Sequence, residues 1–454
     1  MQQFRRVSDT GQRKGYIDTV AGREERQSRN AKLSLYARYY SGDVYRHPAE
    51  WASGNGYATS VSPPDIYINY ARFLIDRLAS FSFDRAVGVR MRPNGEVVSE
   101  DSETVSERFL ADFIRTSRFL SRLTPVAREA LLFGDVLLKL QHNAGGVFPL
   151  TFAVIPAEEF DFEHSPRDLA EVRFIREEFT YYDDAGAPAI HREELHSDRV
   201  VYYRDEALSE PAGKRLWPAL LSHVLAERTP LLAVEREVAH PFGRIPAVHV
   251  RNRPQLGAKF GVSELADLTP LLDDVNWKMA QRSRNISRTM NAILKNINGR
   301  LVNDQLDDTQ IVSVIGDNAE LEYLINDSDL SPVQAHISEL KQALTDLTGV
   351  VMLSPDKLTS VGAMSGFALS ILYEPLLNAA RAKRQEIGRS VEDFLELVLD
   401  AGVKLGLVPE QEVQAARPCL TYAPDLQFTE QEKLTRLRRE LLAAESGRTE
   451  LDEH

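Results

Sequence analysis

A single cysteine, Cys419, stands in a chain of 454 residues, so neither a disulfide framework nor a thiolate zinc site is available, and the composition suits a reducing compartment. No motif surrounds that thiol, which reads as a small buried side chain. Long apolar runs are missing as well. A membrane-spanning helix needs about 18 or more uncharged apolar residues, yet even the stretch 127–140 carries Arg128, Glu129, Asp135 and Lys139. The opening MQQFRRVSDTGQRKG is charged and reaches no apolar core, unlike a secretory signal. The expectation is a soluble protein without a membrane partner.

Basic residues are in the minority: 54 Lys and Arg stand against 67 Asp and Glu, a net charge of −13. That balance disfavours a phosphate-seeking grip over the whole surface. It leaves room for a local basic band, or for a surface that DNA passes without sticking. With 43% hydrophobic residues the chain has material for sizeable cores, and its length suits two or three domains.

Motifs for covalent or metal chemistry are absent too. There is no G-x-x-x-x-G-K-[ST] phosphate cradle, because Gly213-Lys214 lacks the upstream glycine and the following hydroxyl. His191 and His196 are five apart and miss the one-face geometry of H-E-x-x-H. In Gly362-Ala363-Met364-Ser365-Gly366 the serine stands one place late for a nucleophile elbow. The doublets Asp183-Asp184, Asp273-Asp274 and Asp307-Asp308 read as solvated charge, since adjacent carboxylates diverge on a strand or a helix. Arg115-Thr116-Ser117-Arg118-Phe119 reads as a half-buried helix edge rather than a base-stacking platform. No catalytic residue, metal or cofactor is expected and the chain reads as a non-enzyme; a metal-dependent nuclease with dispersed carboxylates stays open as the alternative, and a cellular scaffold as a third reading.

What the chain does contain is an ordered succession of periods. Residues 1–30 hold seven Arg and Lys among few apolar residues and read as a mobile arm or an assembly contact. Helical spacing of Phe73, Leu74, Arg77 and Leu78 follows the Pro63-Pro64 break, and two more amphipathic helices are predicted at about 101–116 and 121–134. Between 147 and 250 the period drops to two, as in 151–155, 172–176 and 200–203, which predicts an antiparallel β-rich block. Leu265, Leu268, Leu272, Val275 and Met279 then form one stripe of a helix within 263–290, either starting at Thr269-Pro270 or kinking there. Its acids Asp267, Asp273 and Asp274 lie early and Lys278, Arg282, Arg284 and Arg288 late, as the helix dipole favours. Short β-like stretches at 291–330, a helix at 332–347 capped by Gly349, a loop at 352–362 and a long helix containing Pro375 follow. Thr429-Glu430-Gln431-Glu432 opens a last charged helix as a capping box.

This succession resembles the phage portal proteins of the SPP-one type. The words that carry the resemblance stand in the family's order: Tyr39-Tyr40-Ser41-Gly42-Asp43, Asn69-Tyr70-Ala71-Arg72-Phe73-Leu74-Ile75-Asp76, Gly243-Arg244-Ile245-Pro246, Leu272-Asp273-Asp274-Val275-Asn276-Trp277 and Ser365-Gly366-Phe367-Ala368-Leu369. The resemblance implies an α+β portal fold with an N-terminal arm at 1–30, the first part of a mixed wing at 31–262, stem helix 1 at 263–290 and a small β-containing clip at 291–331. Stem helix 2 follows at 332–348, a tunnel loop at 349–364, the wing's kinked helix and closing segment at 365–428, and a short helical crown at 429–454.

Further implications concern role and partners. The family forms homo-oligomeric, dodecameric head-tail connector rings at one capsid vertex of the bacteriophage virion, assembled in the host cytoplasm. Through such a ring double-stranded DNA is translocated during packaging and ejection, and to it the large terminase, the major capsid and scaffolding proteins and the head-tail adaptors bind. On this chain the resemblance puts the DNA-facing loop at Ser354, Pro355, Asp356, Lys357, Leu358, Thr359 and Ser360, a stem charge band at Lys278, Arg282, Arg284 and Arg288, and the helix kink at Pro375.

Overall fold

The computed structural model of the chain describes residues 16–45, 66–84, 87–93, 104–143, 145–165, 167–184, 186–207, 233–290, 293–298, 300–301, 314–316, 318, 320–324, 331–352 and 366–423. They divide into two compact units, one drawn from 1–41, 71–267 and 348–454, the other from 42–70 and 268–347. Helices and antiparallel strands are both present throughout, an α+β architecture.

The N-terminal stretch departs from its reading as an arm. A 3-10 turn at Tyr16–Asp18 leads into helix α1, Val20–Ser41. Ion pairs hold it: Arg26 lies 3.0 Å from Glu178 and Arg29 3.5 Å from Asp135. Asp18 accepts from Arg176 at 2.5 and 3.1 Å, and Glu163 accepts the backbone N–H groups of Tyr16 and Ile17 at 2.9 and 3.2 Å. Ile17, Leu33 and Tyr39 are the buried apolar anchors. A helix docked by charge carries no continuous apolar stripe, so periodicity alone does not announce it.

Helix α2 (Tyr70–Phe83) and strand β1 (Val87–Pro93) precede two helices, α3 (Val105–Ser117) and α4 (Phe119–Phe133). Thr104 and Glu107 cap α3 reciprocally, and Arg118, at φ 54°, is the single residue that breaks the chain direction between α3 and α4. Strands β2 (Asp135–His142) and β3 (Leu150–Pro156) then pair antiparallel with Leu138 opposite Val154.

The β-rich block is a six-stranded antiparallel sheet. Its order is β4 (Phe160–Ser165), β5 (Asp168–Tyr182), β6 (Pro188–Leu195), β7 (Arg199–Tyr203) and β9 (Val234–Ala239), with the short β8 (Glu206–Ala207) paired to β6. Strand β10 (Ala247–Arg251) returns to pair with β2, Val250 opposite Val136. A shared core of Leu137, Ile155, Phe160, Phe162, Ile175 and Leu195 joins the two sheets.

Period two foretold these strands but not their charge. Arg176 lies opposite Glu194 and Glu178 opposite Arg192, all four buried. Ions removed from water persist only when paired. Accordingly Arg192 bonds both Glu178 and Glu206, Arg176 reaches Glu194 at 2.7 Å, and Lys139 joins Glu177 at 2.7 Å and Glu193.

The long helix carrying Pro375, defined below, contributes Ile387, Val391, Phe394, Leu395 and Val398, each no more than 1% exposed. Phe394 stacks on Phe119 at 5.7 Å between ring centres and meets Phe113 and Phe152 as well. Offset aromatic packing of this kind adds to the burial term. Near the C-terminus β15 (Ala416–Tyr422) pairs with β1, Cys419 opposite Arg90. Cys419 is half-buried rather than enclosed, because a two-stranded ribbon covers its strands incompletely. The capping box at 429–432 and the segment 429–454 lie outside the described residues.

Candidate functional site

In the smaller unit the sequence builds two helices on either side of a β insert. Helix α5 runs Thr269–Met290, so of the two starts open at Thr269-Pro270 the structure takes the one in which proline occupies the first turn, where its missing N–H costs nothing. Leu268, Leu272, Val275 and Ala280 are its buried stripe. Strand β11 (Ile293–Ile297) pairs antiparallel with β14 (Glu320–Leu324), Ile293 opposite Leu324, and between them β12 (Arg300–Leu301) pairs with β13 (Val314–Ile315). Helix α6, Ser331–Thr348, follows with Ile337 and Leu344 buried.

Polar groups fix α5 inside this unit. The doublet Asp273-Asp274 splits, as the 100° step of a helix requires. Asp273 is buried and accepts a hydrogen bond from Tyr45 Oη at 3.1 Å, which corrects its reading as solvated charge. Asp274 stays half-exposed, with His336 Nε2 of α6 at 3.5 Å. Asn276 is buried, accepts from the backbone N–H of Ile68 at 2.8 Å and donates to the Leu272 carbonyl at 3.0 Å. Among the family words, then, Leu272 to Trp277 is first of all a packing device. The other acid doublets differ: Asp183 accepts from the backbone of Ala187 in an exposed turn, and Asp307-Asp308 lies outside the described residues.

Beyond Val275 the helix has no acidic residue up to Met290, while Lys278, Arg282, Arg284 and Arg288 accumulate. Lys278 and Arg282 are one turn apart and share one flank; Arg284 and Arg288 share another. Lys278 Nζ stands 4.9 Å from the centre of the Trp277 ring, a cation–π contact. Arg282 is half-buried, and its Nε meets no acceptor among the described residues. Arg288 lies in the last turn of α5.

The residues assigned to the DNA-facing loop, Ser354, Pro355, Asp356, Lys357, Leu358, Thr359 and Ser360, lie outside the described residues. Both of the loop's anchors are described. On one side Val350 is fully buried and its N–H donates to Thr348 Oγ1 at 3.1 Å. Gly349 between them has φ +70°, the left-handed conformation that follows a helix end. On the other side helix α7 runs Gly366–Lys404 with Pro375 inside it. Proline withholds one N–H from the ladder, and the Pro375 carbonyl faces Gly349 so closely that a Cβ there would stand 2.7 Å from the oxygen. Sequence spacing gives Gly349 as a helix cap and Pro375 as the site of a helix kink; that the two meet is visible only in three dimensions.

Electrostatic features of the larger unit were also beyond a motif search. Tyr40 donates to Asp76 at 2.8 Å, and Arg128 reaches the same carboxylate at 2.7 Å. Burial, then the bond to Asp76, pushes the Tyr40 phenol up to about 12. Asp135 gathers His249 Nε2 at 2.7 Å, the Gly261 N–H at 2.8 Å and Arg29. Burial holds the His249 imidazole below its usual range. Glu159 is pushed up to about 7 by burial and by the neighbouring Glu158 and Glu177 carboxylates. Among the described residues no group of three or more His, Cys, Asp or Glu side chains could hold a metal ion, and no helix is long and apolar enough to cross a membrane.

Comparison with known proteins gives a family and two distant structural likenesses. The family model described as phage portal protein, SPP1 Gp6-like, matches residues 23–425. A chain of the virion of a native gene transfer agent particle is 12% identical, with 83% of this chain and 85% of that one covered and a TM-score of 0.35. A chain from the neck of an empty gene transfer agent particle is likewise 12% identical over 83% and 85%, with a TM-score of 0.39. No curated protein sequence matches.

Proposed function

This chain belongs to the phage portal protein family of the SPP1 Gp6-like type, and from that premise we propose that it assembles into the ring at one capsid vertex through which double-stranded DNA enters and leaves the head. The family match across residues 23–425 carries the reading. In it α5 and α6 are the stem, the insert between them is the clip, residues 349–364 are the tunnel loop, and the larger unit is the wing.

Physical considerations support each part. A conduit must let a duplex slide, and every cation that neutralises a phosphate adds affinity and hence friction; a subunit of net charge −13 keeps that friction low. At about 1.5 Å per residue the 22 residues of α5 extend about 33 Å, a length fit to carry the β insert well away from the rest of the chain. The pairing of Ile293 with Leu324 closes the insert at its base. There the large terminase docks during packaging and the head-tail adaptors afterwards, while the capsid and scaffolding proteins meet the wing. The ring closes on about twelve copies, as the family resemblance implies, and the protein acts as a structural part, without catalysis.

Electron microscopy of the purified full chain, with native mass measurement, tests the reading. Closed rings are expected. Compact single chains at every protein and salt concentration would remove it, and divalent-metal-dependent cleavage of plasmid DNA by such single chains would put a nuclease in its place.

A further inference from the structure

Two helices of the smaller unit carry exposed or half-buried charge of opposite sign. On α5, Lys278 and Arg282 lie one turn apart on one flank. Neither has a carboxylate partner among the described residues: Lys278 leans on Trp277, and the Nε of Arg282 meets no acceptor. On α6, Glu339 and Asp346 are seven residues apart and so share a face, turned away from the buried Ile337 and Leu344. The Glu339 side chain is 77% exposed, with the His336 imidazole at 3.6 Å, and Asp346 accepts from Gln342 in solvent at 2.7 Å. Exposed apolar side chains accompany both charged surfaces, Ile286 one turn beyond Arg282 and Leu347 next to Asp346.

Resting on the ring-forming reading above, we propose that the Lys278–Arg282 flank of α5 docks on the Glu339–Asp346 face of α6 of a second copy of this chain. Sign is what commits the surface to that occupant. Basic flank facing basic flank, or acid facing acid, would oppose association, so the basic flank of one copy seeks the acidic face of another. In the ring that the family reading implies, that contact is head-to-tail, the kind that repeats until it closes. Ile286 and Leu347 supply apolar contact at such a seam, and the charges its rim. Double-stranded DNA is the other polyanion that the flank could meet. The half-burial of Arg282, which withdraws it from a passing backbone, and the presence of a matching acidic face on the same unit favour the second copy.

The full chain tests this in three arms read by native mass. First, the wild-type ring is expected to need more protein to assemble as salt rises, since screening shortens the reach of the pairs. Second, Lys278→Glu with Arg282→Glu, or Glu339→Lys with Asp346→Lys, is expected to raise the half-assembly concentration about tenfold or more. Third, the two double variants mixed in equal amounts are expected to assemble where each alone does not, because every junction of an alternating ring then pairs opposite signs; that rescue also shows that both variants fold. Rings that ignore both salt and charge reversal defeat the inference while leaving the portal reading intact. Normal assembly with altered retention of duplex DNA assigns the flank to the channel and overturns it equally. A wild type that never forms rings removes the portal reading itself.

Discussion

The carbonyl oxygen of Pro375 lies 2.7 Å from the point where a Cβ on Gly349 would stand. The contact joins a left-handed glycine just after α6 to a proline inside α7. Any side chain at 349 must move the α7 backbone and also hold a strained φ of +70°. Gly349→Ala is expected to destabilise the protein by about 1–3 kcal/mol, read as a lowered denaturant midpoint. An unchanged midpoint would mean that the contact yields freely.

The loop that this contact frames is expected to act on DNA rather than on assembly. Lys357 is the only cation between 349 and 364, and on the proposed reading the neighbouring Ser354, Asp356, Thr359 and Ser360 would offer exchangeable contacts to a moving duplex. Lys357→Glu, or deletion of 355–360, should leave ring mass unchanged and lower the amount of DNA packaged. Packaging at the wild-type level would take the loop out of the mechanism.

Removing the insert separates docking from folding. Because the insert belongs to the smaller compact unit and most of the wing to the larger one, replacing 296–326 with a short glycine linker is expected to leave the wing folded, judged by its thermal transition. Binding of terminase and of adaptors should be lost together. Retention of either on the truncated protein would move that partner's site elsewhere.

Glu159 gives a pH dependence of definite sign. Burial first, then Glu158 and Glu177, raises its folded value to about 7, against about 4.3 in an unfolded chain. The folded protein therefore takes up this proton first, so the group's contribution is fully present below about pH 4 and is lost as pH rises through 7. Glu159→Gln should raise stability at pH 8 by about 1–2 kcal/mol, discounted because the side chain is half-exposed to solvent. No gain is expected at pH 4. Equal gains at both pH values would assign the effect to packing.

Local order was legible wherever it follows from spacing. Leu272 and Val275 on α5, or Val391, Phe394 and Val398 on α7, announce a buried face because residues three and four apart meet on a helix whatever lies beyond it. The β-rich block announced itself through period two in the same way. The family words Leu272-Asp273-Asp274-Val275-Asn276-Trp277 were recognisable as a string, but the role of Asp273 was not, since its partner Tyr45 is 228 positions away.

The sequence by itself determined the amphipathic helices and the β-rich block, though not α1, that a β insert lies between two helices, and that basic charge gathers late in α5. Tertiary structure alone decided that polar α1 docks by Arg26 on Glu178 and by Asp18 on Arg176, that Gly349 seats against Pro375, and that charged residues fill the interior of the β5–β6 pair. The reason is physical. Helix and strand periods are fixed by backbone geometry over a few residues, whereas an ion pair or a backbone contact is chosen among distant partners by which of them the fold withdraws from water together.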